Sequence, residues 1–182
     1  AATQDVFIEH VGMPILACIP QAVKALQDLG MHRKVQLIVS GGIRTGADVA
    51  KAMALGADAV AIGTAALIAL GDNDPKWEEE YQKLGTTADA YDDWHEGRDP
   101  AGITTQDPEL SKRFDPVLGG RRLKNYLKVM TLEAQTIARA CGKNHLHNLE
   151  PEDLCSLTIE AAAMAGVPLA GTNWIPGRNG GF

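Results

Sequence analysis

The sequence lacks several features that would place it in a class at once. It has no apolar run near the roughly 20 residues of a membrane helix. We expect no signal peptide, because the start, residues 1–5, has no basic n-region and no apolar h-region. Lys and Arg total 17 against 23 Asp and Glu, a formal net charge of −6. Because no basic stripe stands out, nucleic acid and anionic membranes are excluded as favoured partners.

Cysteine is scarce, and its pattern argues against a disulfide framework. The three cysteines, Cys18, Cys141 and Cys155, are an odd number without Cys-x-x-Cys spacing. This pattern is typical of a reducing compartment. We therefore expect a cytoplasmic protein with buried thiols, and we place Cys18 in the core because it lies in an apolar run beside Pro20. The composition, 45% hydrophobic and 22% charged, excludes a disordered or collagen-like chain.

The first part of the chain alternates between helix and strand signals. The predicted order is a helix begun by Pro20 and closed by Gly30, a strand over 35–39, a helix capped by Thr45 and closed by Gly56, a strand over 59–62 and a helix over 65–70. Both strands are apolar almost throughout. Such strands separated by helices are typical of parallel βα units that are covered on both faces.

The rest of the chain changes character. Residues 85–108 are polar and rich in Asp, Thr and Gly, which predicts an irregular loop. Helices are predicted over 122–140 and 151–165, each closed by a glycine, and an extended tail follows.

Two glycine-bearing turns follow the two predicted strands and form the candidate binding site. The first strand leads into Ser40-Gly41-Gly42 and the second into Gly63-Thr64. In (β/α)8 barrels the loops after the last two strands often bind phosphate through backbone N–H groups and a helix N-terminus. Glycine lets the backbone approach such an anion closely. Two such turns in consecutive units favour a phosphate site over tight turns alone.

A few further side chains have functional and simpler interpretations. Arg44 either donates to the phosphate or pairs with Asp48 on the surface, and the sequence leaves both open. His145 and His147 resemble a metal pair, but no third ligand stands at the right spacing, so we favour a polar turn. For His95, ordering of a loop is favoured over catalysis.

The stretch from Ser40 to Thr64 resembles the end of an FMN-binding barrel, as found in glutamate synthase, type 2 isopentenyl-diphosphate isomerase, α-hydroxy-acid oxidases and IMP dehydrogenase. Later segments resemble the region after the barrel in the glutamate synthase FMN domain: Gly102-Ile-Thr-Thr-Gln-Asp-Pro-Glu-Leu110, Arg122-Leu-Lys-Asn-Tyr126, Thr131-Leu-Glu-Ala-Gln135 and Leu149-Glu-Pro-Glu-Asp-Leu154. The chain is therefore similar to the glutamate synthase-like FMN-binding domain family. Within it, the chain resembles most the FMN subunit of N-methylglutamate synthase.

This resemblance implies an α/β fold and a flavin chemistry. Residues 1–71 would be the last βα units of an FMN-binding TIM (β/α)8 barrel, 72–118 a loop replacing the family's iron–sulfur segment, and 119–182 a helical C-terminal extension. FMN would be the cofactor, and the substrate an amino or keto acid (glutamate or 2-oxoglutarate, by way of 2-iminoglutarate). The residues implied at the FMN phosphate are Ser40, Gly41, Gly42, Arg44, Gly63 and Thr64. The catalytic residues are unknown, because the family's substrate contacts come largely from earlier strands.

One departure from the family concerns iron. In glutamate synthase three cysteines before the Gly102 segment hold an iron–sulfur cluster, whereas Ala88, Trp94 and Asp99 stand near those positions here. None is a thiolate, so we expect no cluster from this segment. An exchange of ammonia for methylamine on glutamate has no net redox demand, which favours the N-methylglutamate synthase type. Alternatives are glutamate synthase proper, another FMN barrel enzyme such as a type 2 isopentenyl-diphosphate isomerase, and a non-catalytic assembly piece.

The length of 182 residues is small for the implied fold. A (β/α)8 barrel takes about 250 residues, and two parallel strands alone leave edges unpaired. We therefore expect the C-terminal part of a larger flavoprotein. Its expected partners are the remaining N-terminal part of the barrel, other subunits of a hetero-oligomeric complex and the small-molecule substrate.

Overall fold

The computed structural model describes residues 5–84 and 97–178, which form a mixed α/β chain that is mostly helical. The elements in chain order are α1 Asp5–His10, α2 Ile15–Asp28, β1 Ile38–Ser40, α3 Gly46–Ala54, β2 Ala59–Ala61, α4 Thr64–Leu70, a 3-10 turn Pro75–Trp77, α5 Glu78–Lys83, α6 Pro108–Ser111, α7 Pro116–Ala140, 3-10 turns Leu146–Asn148 and Pro151–Asp153, and α8 Ile159–Ala165. None of the helices in these two ranges is both long and apolar enough to cross a bilayer.

The chain divides into two compact units. The strand unit contains residues 13–62 and everything described from Val129 onward; the loop unit contains residues 63–128 and the described residues up to Gly12. The helix α7 contributes its first part to the loop unit and its second part to the strand unit.

The strand unit is built on one parallel pair of strands. Ile38 of β1 lies opposite Ala59 of β2, and Ser40 lies opposite Ala61. Where the pair begins, the Asp58 carboxylate accepts the Leu37 N–H at 2.7 Å, and the Leu37 carbonyl accepts the Asp58 N–H at 2.8 Å. This reciprocal pair secures the register.

The strands are shorter than predicted, three residues each rather than 35–39 and 59–62. The Val35 N–H donates to the Met31 carbonyl at 3.1 Å, so the start of the apolar run belongs to a turn. Apolar character alone did not distinguish this turn from the strand.

One face of the parallel pair is covered and the other is not. Val39 is 9% exposed, whereas its neighbour Ile38 on the opposite face is 64% exposed. Within the described residues of this unit only one face is covered, so cover on both faces stays a prediction for the complete barrel. Successive strand residues point to opposite faces, and the elements of the strand unit pack on one of them.

The core of the strand unit lies between the strands and the helices α2, α3 and α8. Its buried members are Ile19, Val39, Ile43, Ala52, Leu55, Ala57, Ala165 and Val167. A second, smaller cluster joins α3 to α7 and the following turn through Ala50, Ala54, Ala138 and Leu149. Both clusters hold α3, the helix that follows the first glycine turn.

The helix α2 begins at Ile15, five residues before the predicted start. Pro20 lies inside the helix rather than in its first turn, and Pro14 precedes the helix instead. A proline in the helix interior removes one N–H donor and so lowers the stability of the helix. The burial of Ile19 on this helix, which is 1% exposed, contributes stability in the opposite direction.

The helix α7 begins at Pro116, six residues before the predicted start at 122. The Asp115 carboxylate accepts the N–H groups of Val117 and Leu118 at 2.9 and 3.1 Å. Asp115 therefore caps the helix, with proline in the first helical position.

The predicted helix over 151–165 is two separate elements. The turn Pro151–Asp153 ends before Ser156, whose N–H donates to the Pro168 carbonyl and whose carbonyl accepts the Ala170 N–H, both at 2.8 Å. This backbone pairing holds the chain extended, and α8 starts afresh with Thr158 as its cap. Gly166, in the left-handed region with φ 66°, ends α8 as predicted.

Candidate phosphate-binding site

The first glycine turn leaves the carboxyl end of the parallel pair. Gly41 and Gly42 follow β1 with φ values of 133° and 66°, which favour glycine. Ser40, Gly41 and Gly42 are exposed. Within the described part of the chain, the N–H groups of Gly42 and Ile43 donate to no acceptor. Successive free N–H groups in such a turn suit an anion.

The second predicted turn follows β2, whose last residue Ala61 lies opposite Ser40. Gly63 and Thr64 themselves belong to the loop unit, and Gly63 precedes α4. Whether these two residues share a ligand with the first turn stays a prediction.

The start of α3 is closed by its own capping box. The Thr45 hydroxyl accepts the Asp48 N–H at 3.2 Å, and the Asp48 carboxylate accepts the N–H groups of Thr45 and Arg44 at 2.9 and 3.0 Å. The prediction that Thr45 caps this helix is confirmed. Arg44 thus contacts Asp48 through its backbone, and a role of its guanidinium at a phosphate stays a prediction.

The first N–H group of α3 is also occupied. The Gly46 N–H donates to the Glu133 carboxylate of α7 at 2.8 Å. We expected a helix N-terminus to face the anion, but a carboxylate already occupies its leading donor. The N–H groups of Gly42 and Ile43, before the helix, have no acceptor among the described residues. The sequence did not predict this contact of Glu133, although Glu133 lies within Thr131–Gln135, one of the segments that resemble the glutamate synthase FMN domain.

The pKa of the Asp48 carboxyl lies below its ordinary value of 3.8. Burial alone raises this pKa, but the N–H groups of Arg44 and Thr45 outweigh it by stabilising the charged form. A lowered pKa in the folded state means that Asp48 stabilises the fold above its ordinary pKa and that this contribution is lost as the pH falls through the folded-state pKa.

We predict that Asp48→Ala costs about 1 kcal/mol at pH 7, the usual value of a helix cap. The thermal unfolding midpoints of wild type and Asp48→Ala should converge as the pH is lowered below 3.8. Asp48→Asn is the control, because it keeps an acceptor and does not titrate there. A difference between wild type and Asp48→Ala that grows towards acid would contradict the assignment.

A groove of about 480 Å³ lies beside the glycine turn, between α2 and β1. Its lining includes Met13, Cys18 and Val39, and it reaches Gly41 and Gly42. Cys18 is exposed, with its thiol 3.4 Å from the Met13 carbonyl, so the prediction that Cys18 lies in the core is wrong. Its neighbour Ile19 takes the core position, because adjacent helix residues face about 100° apart. Cys141 and Cys155 are exposed as well, contrary to expectation.

The loop unit contains a buried acidic network around Tyr81. The Tyr81 hydroxyl lies 2.7 Å from the Asp72 carboxylate and 3.0 Å from that of Asp99. Burial, together with these two carboxylates, raises the pKa of the Tyr81 hydroxyl. Tyr81 therefore remains a neutral hydrogen-bond donor.

Asp99 is the described residue that stands near a family cysteine position. It is 4% exposed, and its carboxylate accepts the N–H groups of Ala101, Ile103 and Thr104 at 2.8–3.0 Å as well as the Thr104 and Tyr81 hydroxyls. Its oxygens are used to hold the following loop, so this position does not fit an iron–sulfur ligand. Ala88, Trp94 and His95 lie outside the described residues.

The two neighbouring histidines form a turn, as predicted. His145 caps the turn Leu146–Asn148 and accepts the His147 N–H at 3.2 Å, and the rings stack with centroids 5.0 Å apart. His147 Nε2 lies 3.0 Å from the Asp58 carbonyl. In the part of the chain that the structure describes, no three His, Cys, Asp or Glu side chains converge as a metal site.

These features define a class: an α/β chain whose parallel strands lead into a glycine turn with free N–H donors. The sequence profile of the conserved region in glutamate synthase matches residues 1–75 and 89–144, so the chain belongs to the glutamate synthase family.

Individual relatives agree with this family. The chain is 86% identical over 178 residues to the glutamate synthase large subunit-like protein of Rhizobium meliloti (strain 1021), which covers 98% of this chain and 40% of the relative. It is 41% identical over 148 residues to the archaeal glutamate synthase (NADPH) of Methanocaldococcus jannaschii, covering 81% of this chain and 26% of that protein. It is 35% identical over 174 residues to the archaeal-type glutamate synthase (NADPH) of Dehalococcoides mccartyi, covering 93% and 32%. The chain thus spans less than half the length of these relatives.

Proposed function

We propose that this chain contributes the last βα units of an FMN-binding barrel in a glutamate synthase-type enzyme, and that its glycine turns bind the FMN phosphate. The observation that carries the proposal is the parallel register of β1 and β2, with their last residues Ser40 and Ala61 opposite each other. The chain continues from these two residues into the two glycine turns, 41–42 and 63–64. Phosphate sites of (β/α)8 barrels are built from turns in this position.

The residues of the first turn fit a phosphate. Gly42 and Ile43 offer free N–H groups, and an added Cβ at Gly42 would meet no atom within 4 Å, so the backbone stands open to a ligand. Ser40 adds an exposed hydroxyl, and Arg44 supplies the positive charge. We propose that Gly63 and Thr64 complete the site.

The part of this chain in the reaction is to hold and orient the cofactor. FMN, when bound, supplies two-electron hydride chemistry towards an imino acid. Thr45 and Asp48 hold the end of the turn through the capping box, so the phosphate donors are fixed before the ligand arrives. A preformed site lowers the ordering cost of binding.

Among the reactions of this family we favour the N-methylglutamate synthase type, in which methylamine replaces ammonia on glutamate by way of 2-iminoglutarate. The support is Asp99, which holds a loop with its carboxylate where a thiolate would be needed for an iron–sulfur cluster. Glutamate synthase proper is the second candidate, because several relatives carry that name at 35–41% identity. The family match leaves the isomerase alternative without support.

Substrate exchange in the intact protein separates these two candidates. Incubation with glutamate and methylamine, without an external reductant, is expected to yield N-methylglutamate and ammonia in equal amounts. Product formed from 2-oxoglutarate only when a reductant is consumed would indicate glutamate synthase proper. A purified protein without flavin absorbance would favour the non-catalytic assembly piece.

A substitution at Gly42 tests the phosphate site. Gly42→Ala is expected to weaken FMN binding about tenfold, because φ is 66°, a conformation that strains alanine and displaces the turn that carries the free N–H groups. The measurement is quenching of flavin fluorescence on titration of the intact apoprotein.

Gly171→Ala is the matched control for this substitution. Gly171 also has positive φ, 80°, and no atom within 4 Å of an added Cβ. Both variants should lose about 1 kcal/mol of stability from backbone strain. Equal FMN affinity in the two variants would refute a phosphate site at Gly42.

The proposed organisation follows the same proposal. Residues 1–71 belong to the barrel, 72–118 replace the iron–sulfur segment, and 119–182 form the helical extension. The remaining barrel strands, other subunits of a hetero-oligomer and an amino or keto acid are the proposed partners. The unpaired cysteines are consistent with the reducing cytoplasm that we propose.

A further inference from the structure

Glu133 lies on α7, which the sequence assigns to the helical extension, yet it contacts the helix that follows the glycine turn. Its Oε2 atom accepts the Gly46 N–H at 2.8 Å, across a sequence separation of 87 residues. A carboxylate at a helix N-terminus stabilises the helix by accepting an otherwise unpaired donor and by opposing the helix dipole.

The two helices also meet backbone to backbone at this point. A Cβ added to Gly46 would lie 2.2 Å from the Met130 carbonyl oxygen and 2.6 Å from the Ala134 nitrogen. One and two turns further along α3, Ala50 and Ala54 are buried in the cluster that includes Ala138. The small residues at spacing four let α3 lie directly on α7, with Glu133 bonded at its end.

The glycine turn is only a few residues from this contact. Asp48 holds the N–H groups of Arg44 and Thr45, and Ile43 is 6% exposed in the core. Residues 43–48 are thus tied at both ends, and a shift of Gly46 would be transmitted to the free N–H groups of Gly42 and Ile43.

We propose that Glu133 is a positioning residue for the phosphate-binding turn. This inference rests on the proposed function of that turn. Glu133 acts through the Gly46 N–H and does not touch the phosphate, whose charge it would repel. The useful property of its side chain is therefore the acceptor oxygen rather than the negative charge. That distinction predicts different results for removing the acceptor and for removing only the charge.

The test is the affinity of the intact apoprotein for FMN and for riboflavin, which lacks the phosphate. Glu133→Ala is expected to bind FMN about tenfold more weakly, the usual scale for the loss of a helix cap, and riboflavin as the wild type does. Glu133→Gln keeps an acceptor oxygen and loses the charge, so its FMN affinity should stay within about threefold of wild type or exceed it. Glu160→Ala, which removes an exposed carboxylate from α8, should change neither affinity.

Thermal unfolding of each apoprotein accompanies the titrations. If Glu133→Ala does not fold, Glu133→Asp replaces it, because the shorter side chain keeps the charge but withdraws the acceptor; FMN binding should then weaken about threefold or more. The inference is overturned if the wild type prefers FMN over riboflavin and the Glu133→Ala or Glu133→Asp variant keeps that preference. It is also overturned if Glu133→Gln binds FMN as weakly as Glu133→Ala does. A wild type without any preference for FMN overturns the proposed function, and the inference with it.

Discussion

Gly46→Ala is expected to lower the free energy of unfolding of the intact protein by about 3 kcal/mol, near the upper end of the usual cost of overpacking. The added methyl group would lie 2.2 Å from the Met130 carbonyl oxygen, 2.6 Å from the Ala134 nitrogen and 2.7 Å from the Glu133 Cβ. None of these atoms is the free end of a flexible side chain. Relief therefore requires α3 and α7 to separate, which uncovers the alanine cluster between them. Denaturant titration monitored by circular dichroism measures the loss.

Gly120→Ala is the matched control for this substitution. Gly120 lies within α7, the helix that Gly46 of α3 contacts, is exposed, and has no atom within 4 Å of an added Cβ. Alanine is the better helix former, so this variant should gain about 0.5–1 kcal/mol. A Gly46→Ala protein as stable as Gly120→Ala would show that the close approach of the two helices is wrong.

Asp99→Ala is the second substitution with a large expected effect, a loss of about 3 kcal/mol. It would leave the N–H groups of Ala101, Ile103 and Thr104 without their acceptor. Of these residues Ala101 is buried, Ile103 is half-buried and Thr104 is exposed. An unsatisfied buried donor costs about 1–3 kcal/mol, and partial rearrangement of the loop limits the sum. Tyr81 retains its bond to Asp72, so the remaining network confines the damage to the segment that follows residue 99.

Asp107→Ala provides the comparison for Asp99. The Asp107 carboxylate also accepts two backbone N–H groups, those of Glu109 and Leu110, but in an exposed turn. Water can replace it there, so the expected loss is about 1 kcal/mol. Limited proteolysis of the loop together with thermal unfolding distinguishes the two variants. Equal losses would mean that burial of Asp99 does not determine its contribution.

Local signals in the sequence predicted several boundaries correctly. Thr45 caps α3 through its hydroxyl, and Gly56 and Gly166 follow their helices with positive φ. Each of these signals acts through atoms within about four residues, so no distant contact is needed to interpret it. The parallel βα order of the first part was predictable for the same reason.

The errors in the fold have identifiable causes. The helix α7 starts before residue 122, although Asp115 followed by Pro116 is a local helix-start signal, a capping carboxylate before a proline in the first turn. The break between Pro151 and Ile159 was not available locally. It depends on the pairing of Ser156 with Pro168 and Ala170, more than ten residues away.

The candidate site, too, has features that local sequence signals predict and features that depend on distant residues. Its glycine turn was predictable, because Gly41-Gly42 after an apolar strand is a local pattern. The occupation of the α3 N-terminus was not, because Glu133 comes from another helix. The exposure of Cys18 also depends on which elements pack against α2, since Cys18 and the buried Ile19 are adjacent in the same apolar run.

The hydrogen bond between Gly46 and Glu133 joins two residues that the ribosome adds at different times. At about 5–20 residues per second, the ribosome needs roughly 4 to 17 s to pass from residue 46 to residue 133. During that interval the nascent α3 carries its leading N–H group without the acceptor that it has in the finished protein. The strand–turn–helix segment is thus synthesised before the residue that completes its helix cap.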